Sequence, residues 1–258
     1  MLHNTFCRRL AALVLTLAVA VSAVLPVFAV YPMPIQTATE TEAVYLFNAD
    51  TGKTLLTQNA DQPRYVASLT KMMTALLLLE SGKDLNGEVT VPTDLTQEFK
   101  DIQNANGTTM GLRIGETVRR IDLLNALLIT SANDAASVIA WDVGGSLNAF
   151  IQQMNARAAE LGCTSATFTC AHGLYDYGNV ASAEDMAKIA AACAANETFA
   201  QVAGSTTYTL GQTNFHSEQR TISSSNPLMD ASGAYYKDSV KWVKGGFTTL
   251  AGRCAVAL

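Results

Sequence analysis

Ser68-Leu69-Thr70-Lys71-Met72-Met73-Thr74-Ala75-Leu76-Leu77-Leu78-Leu79-Glu80 is the stretch on which the reading of this chain turns. Between Met72 and Leu79 only Thr74 is polar, so a helix here has no hydrophilic face. A helix that is apolar all round belongs in the middle of a domain, and Ser81-Gly82 marks its end. Lys71 therefore falls in the first turn of a buried helix, a strange place for a cation. It also stands three residues after Ser68, on the same helix face. A serine hydroxyl is a weak nucleophile until a base takes its proton. Lysine can be that base once burial or a neighbouring cation lowers its pKa. The helix N-terminus adds positive potential where negative charge develops. Taken alone, Ser-x-x-Lys also fits an N-capping serine beside a solvated lysine. The apolar run that follows favours the chemical reading.

The texture on either side of this helix differs. Upstream, Ala43–Phe47 and Thr54–Gln58 read as strands around the turn-forming Asn48-Ala49-Asp50-Thr51-Gly52. Downstream, helices are expected over Arg120–Ile129, Leu147–Leu161 and Ala183–Ala195, the last with Ser182 as N-cap. After Phe199 the chain becomes rich in Thr, Tyr, Ser and β-branched residues, predicting strands at Ser205–Leu210, Arg220–Ser223, Val240–Val243 and Arg253–Leu258. The order is strands, a helical block, then strands. Strands from both ends can close into one sheet with helices on its faces and in a subdomain. The sequence stops inside the apolar Ala255-Val256-Ala257-Leu258, and the expectation is a C-terminally truncated domain.

At the N-terminus, Arg8-Arg9, the apolar Leu10–Leu25 and Val27-Phe28-Ala29 have the build of a secretory signal peptide cut after Ala29. An uncleaved anchor helix is the alternative. The expected domains are therefore a signal peptide over 1–29 and one catalytic domain over 30–258. Cleavage removes two arginines and no acid, so the net charge falls from −5 to −7. An acidic chain with no basic run is a poor partner for nucleic acid and offers no polybasic patch to anionic lipid. Membrane association would need a C-terminal anchor beyond Leu258 or an uncleaved signal. Cys163, Cys170, Cys193 and Cys254 remain after cleavage; export permits disulfides, but the wide spacing favours buried thiols. No C-x-x-C or H-E-x-x-H occurs, so neither a metal nor another cofactor is expected.

Two further constellations follow the Ser68 helix. Ser131-Ala132-Asn133 comes directly after Leu127-Leu128-Ile129-Thr130, where Ser or Asn could equally cap a helix over Asp134–Ala140. Lys244-Gly245-Gly246 stands at the end of an expected strand, where glycines let a substrate backbone lie close; an ordinary turn is the plain alternative. The three in this order resemble the S-x-x-K, S-D-N and K-T-G signature of penicillin-binding proteins and class A β-lactamases. The chain most resembles the low-molecular-mass D-alanyl-D-alanine carboxypeptidases. The likeness rests on Tyr65–Thr74, Ser131–Ala136, His172-Gly173-Leu174, Lys244–Thr248 and Ala251-Gly252, and it runs from about Ala43 to the C-terminus.

This resemblance implies a β-lactamase/transpeptidase-like α/β (α+β) fold: an antiparallel sheet flanked by helices, with a mostly helical subdomain. It implies an exported enzyme that works at the cell wall on peptidoglycan stem peptides and is acylated by β-lactams. Ser68 would be the nucleophile, Lys71 its base and Ser131 a proton relay to the leaving D-alanine. Asn133, Lys244, Gly245, Gly246 and Phe247 would bind substrate, with the Ser68 and Phe247 amides forming an oxyanion hole. His172 would be structural. The chain departs from the family pattern at Gly245, where a Thr or Ser hydroxyl normally helps hold the substrate carboxylate. The alternatives are a β-lactamase of the same fold and a catalytically impaired cell-wall-binding module. Class A β-lactamases carry a deacylating glutamate with Asn four residues on. Glu160, Glu184, Glu197 and Glu218 all lack it.

Overall fold

A computed structural model describes residues 41–174 and 178–258. The signal-peptide reading of residues 1–29 lies outside them. Among the described residues, ten short strands and seven α-helices follow one another. The strands are β1 (Val44–Phe47), β2 (Thr54–Gln58), β3 (Arg64–Tyr65), β4 (Glu88–Thr90), β5 (Thr117–Arg119), β6 (Val180–Ala181), β7 (Thr207–Leu210), β8 (Arg220–Ser223), β9 (Val243–Thr248) and β10 (Gly252–Ala257). The helices are α1 (Lys71–Glu80), α2 (Thr96–Asn104), α3 (Arg120–Asn125), α4 (Asn133–Gly144), α5 (Leu147–Glu160), α6 (Ala183–Ala194) and α7 (Glu197–Ala203).

α1 is the hub, as its composition requires. Ten residues without Gly or Pro, mostly Leu, Met and Ala, favour the helix locally. Met72, Met73, Ala75, Leu76 and Leu78 are at most 2% exposed. Each large side chain buried this way contributes about 1.5–3 kcal/mol. α4, α5, α6 and α7 all pack on α1. α6 starts at Ser182, whose hydroxyl accepts the Asp185 N–H at 3.0 Å, a cap contributing about 1 kcal/mol. α3 is fixed through Asp122. Its carboxylate takes a bidentate pair of bonds from Arg119, both 2.8 Å, and the Tyr208 hydroxyl at 2.9 Å, tying the helix to β7.

Three expectations need correction. The terminal strands do not close into one hydrogen-bonded sheet among the described residues. The β structure is five two-stranded antiparallel ladders, β1–β2, β3–β6, β4–β5, β7–β8 and β9–β10. The β1–β2 and β9–β10 hairpins both pack on α6, so helix packing rather than a shared ladder brings the chain ends together. The strand expected at Val240–Val243 begins at Val243 and continues to Thr248, because residues 243–257 pair in unbroken register from Val243↔Ala257 to Thr248↔Gly252. Lys244-Gly245-Gly246 therefore lies within a strand rather than at its end. The helix expected over Arg120–Ile129 turns from α to π geometry at Ala126–Thr130. Helices α2 and α7 and the β4–β5 ladder had no sequence-based expectation. The four cysteines at 163, 170, 193 and 254 form no disulfide; Cys170 and Cys193 are buried and the other two half-buried.

Candidate active site

Ser68 sits in a 3-10 turn, Ala67–Thr70, that leads into α1. Ala67 just before it is buried with φ +47°. A non-glycine residue in that region is strained, and such strain concentrates at functional sites. The turn is held by its surroundings. The Thr70 hydroxyl donates to the Ala67 carbonyl at 2.8 Å, and Asn179 Nδ2 donates to the Thr70 hydroxyl at 2.7 Å. Gly173 (φ +74°) lies so close that a β-carbon there would overlap the Ala67 carbonyl.

One turn on, Lys71 is completely buried. Its Nζ lies 2.9 Å from Ser68 Oγ and donates to Asn133 Oδ1 at 2.8 Å and to the His172 carbonyl at 2.7 Å. Burial, and then the positive charge of Lys244, push its pKa well below the ordinary lysine value. The alternative of a solvated lysine beside a capping serine is thereby excluded.

The second motif follows the π turn, a distortion that recurs at functional sites. Ser131 closes that turn in the left-handed region, φ 61° and ψ 34°. This aims its hydroxyl at Lys244 Nζ, 3.0 Å away. α4 begins without a side-chain cap, so the capping alternative for Ser131 or Asn133 does not hold. Asn133 instead donates Nδ2–H to the Thr108 carbonyl at 2.9 Å, which fixes its Oδ1 toward Lys71. Thr108 is held in turn by Asp134, whose buried carboxylate accepts the next N–H groups along, those of Met110, Gly111 and Leu112, at 3.0 Å each.

The third motif lies along β9. Lys244, 3% exposed, also donates to the Gly245 carbonyl at 2.7 Å. Burial pushes its pKa down to about 7. Trp242 and Leu258 bond to each other at the start of the ladder. By the antiparallel alternation, the N–H and C=O of Gly245 and Phe247 then point away from β10. That outer edge carries the Phe247 N–H proposed for the oxyanion hole. Gly246 faces the nucleophile: a β-carbon on it would lie 2.8 Å from Ser68 N. Gly245 faces open space, with only the Cys254 carbonyl within 4 Å of such a carbon, at 3.9 Å. The Phe247 ring is exposed, and the Arg253 guanidinium lies 5.8 Å from its centroid.

The structure thus brings together Ser68, Lys71, Ser131, Asn133, Lys244 and Gly246, which lie far apart in sequence. It adds groups to which the sequence assigned no part in the site: the His172 and Thr108 carbonyls, Asp134, Gly173 and Glu98. The imidazole of His172 is buried and contacts Glu98 Oε1 at 2.9 Å. His172-Gly173-Leu174 carried a signal through family likeness. Glu98 carried only the faint helical spacing of Leu95, Phe99 and Ile102.

Comparison with known proteins gives a consistent result. The family model described as D-alanyl-D-alanine carboxypeptidase matches residues 32–258. The D-alanyl-D-alanine carboxypeptidase DacF of Bacillus subtilis is 33% identical over 153 residues, 59% of this chain and 39% of that protein. The D-alanyl-D-alanine endopeptidase of Escherichia coli is 28% identical over 213 residues, 82% of this chain and 64% of that protein. The chain therefore spans less than two thirds of the length of these relatives. Among solved structures, the Streptomyces K15 DD-transpeptidase superposes with a TM-score of 0.68 at 29% identity, covering 83% of this chain and 88% of that one. A D-alanyl-D-alanine carboxypeptidase from Mycobacterium tuberculosis gives 0.71 at 27% identity, covering 83% and 75%.

Proposed function

The chain belongs to the D-alanyl-D-alanine carboxypeptidase family, and on that premise we propose that it is a serine peptidase that removes the terminal D-alanine of peptidoglycan stem peptides. The observation that carries this reading is a fully buried Lys71 with its Nζ 2.9 Å from Ser68 Oγ. Lys71, neutral because it is buried beside another cation, takes the Ser68 proton as Oγ attacks the carbonyl of the penultimate residue. The Ser68 and Phe247 N–H groups receive the developing oxyanion. Removing one such donor typically costs about 100- to 1000-fold in rate. Ser131, bonded to Lys244, passes a proton to the leaving D-alanine. Lys244 faces the terminal carboxylate, Asn133 binds the peptide amide, and water then releases the acyl group from Ser68.

The same acylation makes β-lactams inhibitors of this site. The substrate requires an extracytoplasmic location, which the signal-peptide reading of residues 1–29 supplies. Among the described residues no helix is long and apolar enough to cross a membrane. The test is D-alanine release from a synthetic stem pentapeptide, with and without Ser68→Ala, alongside hydrolysis of a penicillin. Release that Ser68→Ala abolishes, with slow penicillin turnover, is the expected result. Rapid penicillin turnover would reassign the chain as a β-lactamase. Neither release nor labelling would leave only a binding module.

A further inference from the structure

The neutral amine of Lys71 has two N–H bonds and one lone pair. Three oxygens surround it, and two of them, Asn133 Oδ1 and the His172 carbonyl, can only accept. These take the two N–H bonds. Ser68 Oγ, 2.9 Å away, is the one neighbour that can donate, so the lone pair faces the proton it must remove. The aim of the base is set by where the two acceptors stand.

One of these acceptors, the His172 carbonyl, belongs to a residue whose ring is held by a carboxylate outside the three motifs. Glu98, on α2, has Oε1 2.9 Å from His172 Nε2 and 3.1 Å from Ser137 Oγ. The Leu174 N–H donates to His172 Nδ1 at 2.9 Å. The ring proton therefore sits on Nε2 and points at Glu98. Ser137 lies one turn beyond Asn133 on α4, and its single hydroxyl proton, given to Glu98, ties α2 to α4. Burial pushes the Glu98 carboxyl up, but the bonds from His172 and Ser137 outweigh this and hold its pKa below the ordinary value.

We infer that Glu98 is a positioning residue for acyl transfer: through His172 it fixes one of the two acceptors that point the Lys71 lone pair at Ser68. This rests on the serine-peptidase reading above. Glu98 makes no bond to Ser68 or Lys71, so its effect falls on the rate and its pH dependence rather than on substrate affinity. A carboxylate that merely braced α2 would change melting temperature alone.

The test is the rate of acylation by a chromogenic cephalosporin, followed against pH and drug concentration, for wild type, Glu98→Ala and Glu98→Gln. In Glu98→Ala the limiting rate should fall by about 10- to 100-fold, the cost of a misplaced group, with half-saturation unchanged. Its acid limb should move to lower pH, because the Lys71 ammonium loses a fixed acceptor that stabilises it. Glu98→Gln keeps an oxygen for the two donors and should recover most of the rate. A folded Glu98→Ala with the wild-type rate and limb overturns the inference, as does a Glu98→Gln no better than Glu98→Ala. If Glu98→Ala does not fold, Glu98→Asp draws the carboxylate back from His172 by one methylene; a wild-type rate and limb there also overturn it. A wild type that is not acylated sinks the serine-peptidase reading itself, and this inference with it.

Discussion

A threonine side chain at position 245 would enter open space, since a β-carbon there meets nothing nearer than the Cys254 carbonyl. Gly245→Thr should therefore fold normally and supply the hydroxyl that the family pattern places beside the substrate carboxylate. A hydrogen bond to a charged group contributes about 1.5–3 kcal/mol, so KM for a D-Ala-D-Ala peptide should fall by roughly tenfold or more, measurable by D-alanine release. An unchanged KM would show that the carboxylate is held without position 245. Lys244 gives a second prediction. With a pKa of about 7 it is charged below that pH and neutral above it. Attraction for the carboxylate should weaken as pH rises through that value, giving kcat/KM a descending limb. Lys244→Arg keeps its charge throughout and should remove the limb. At this scale the sequence was most informative, because Ser68 and Lys71 share one helical turn and Ser131 and Asn133 one loop. Glu98 and Thr108 were hidden because each meets the site only through tertiary contact.

Asp134 shows how an element is held in place. Its four bonds are all from backbone N–H groups, two on each oxygen: Met110 and Ala135 on Oδ1, Gly111 and Leu112 on Oδ2. Asp134→Asn would turn an amide NH2 toward two of these donors. Leaving such buried groups unpaired costs about 1–3 kcal/mol each. A lower unfolding midpoint in denaturant, with a slower acylation rate from the freed Thr108–Asn133 contact, is the expected outcome. Gly173 acts on the opposite wall. Gly173→Ala must push against Ala67, so the nucleophile turn shifts and acylation should be largely lost even where circular dichroism stays native. Helices and strands with strong local patterns were legible, such as β2 and α6. The π turn at Ala126–Thr130 was not, because its sequence is that of an ordinary buried helix. The start of β9 was misplaced because pairing with β10, rather than the apolar Val240–Val243 run, sets its limits.

The whole molecule buries two lysines, Lys71 and Lys244, whose pKa values are both lowered in the folded state. Above about pH 7, and below the ordinary lysine range, the unfolded chain holds the Lys244 proton and the folded one does not, so stability rises with pH. Lys244 contributes up to about 1.4 kcal/mol per pH unit in that window. Lys244→Met should flatten this slope in denaturant unfolding; an equally steep slope would mean that the lysine is not held neutral. The general architecture followed from the order of strands, helices and strands, but the division of the strands into separate ladders depends on packing against α6 that no local pattern encodes. All these parts converge on Ser68. Incubation with a penicillin, followed by proteolysis and mass spectrometry, should yield one penicilloyl adduct, on the peptide containing Ser68 and absent from Ser68→Ala; an adduct on another residue, or one that persists in Ser68→Ala, would show that Ser68 is not the nucleophile.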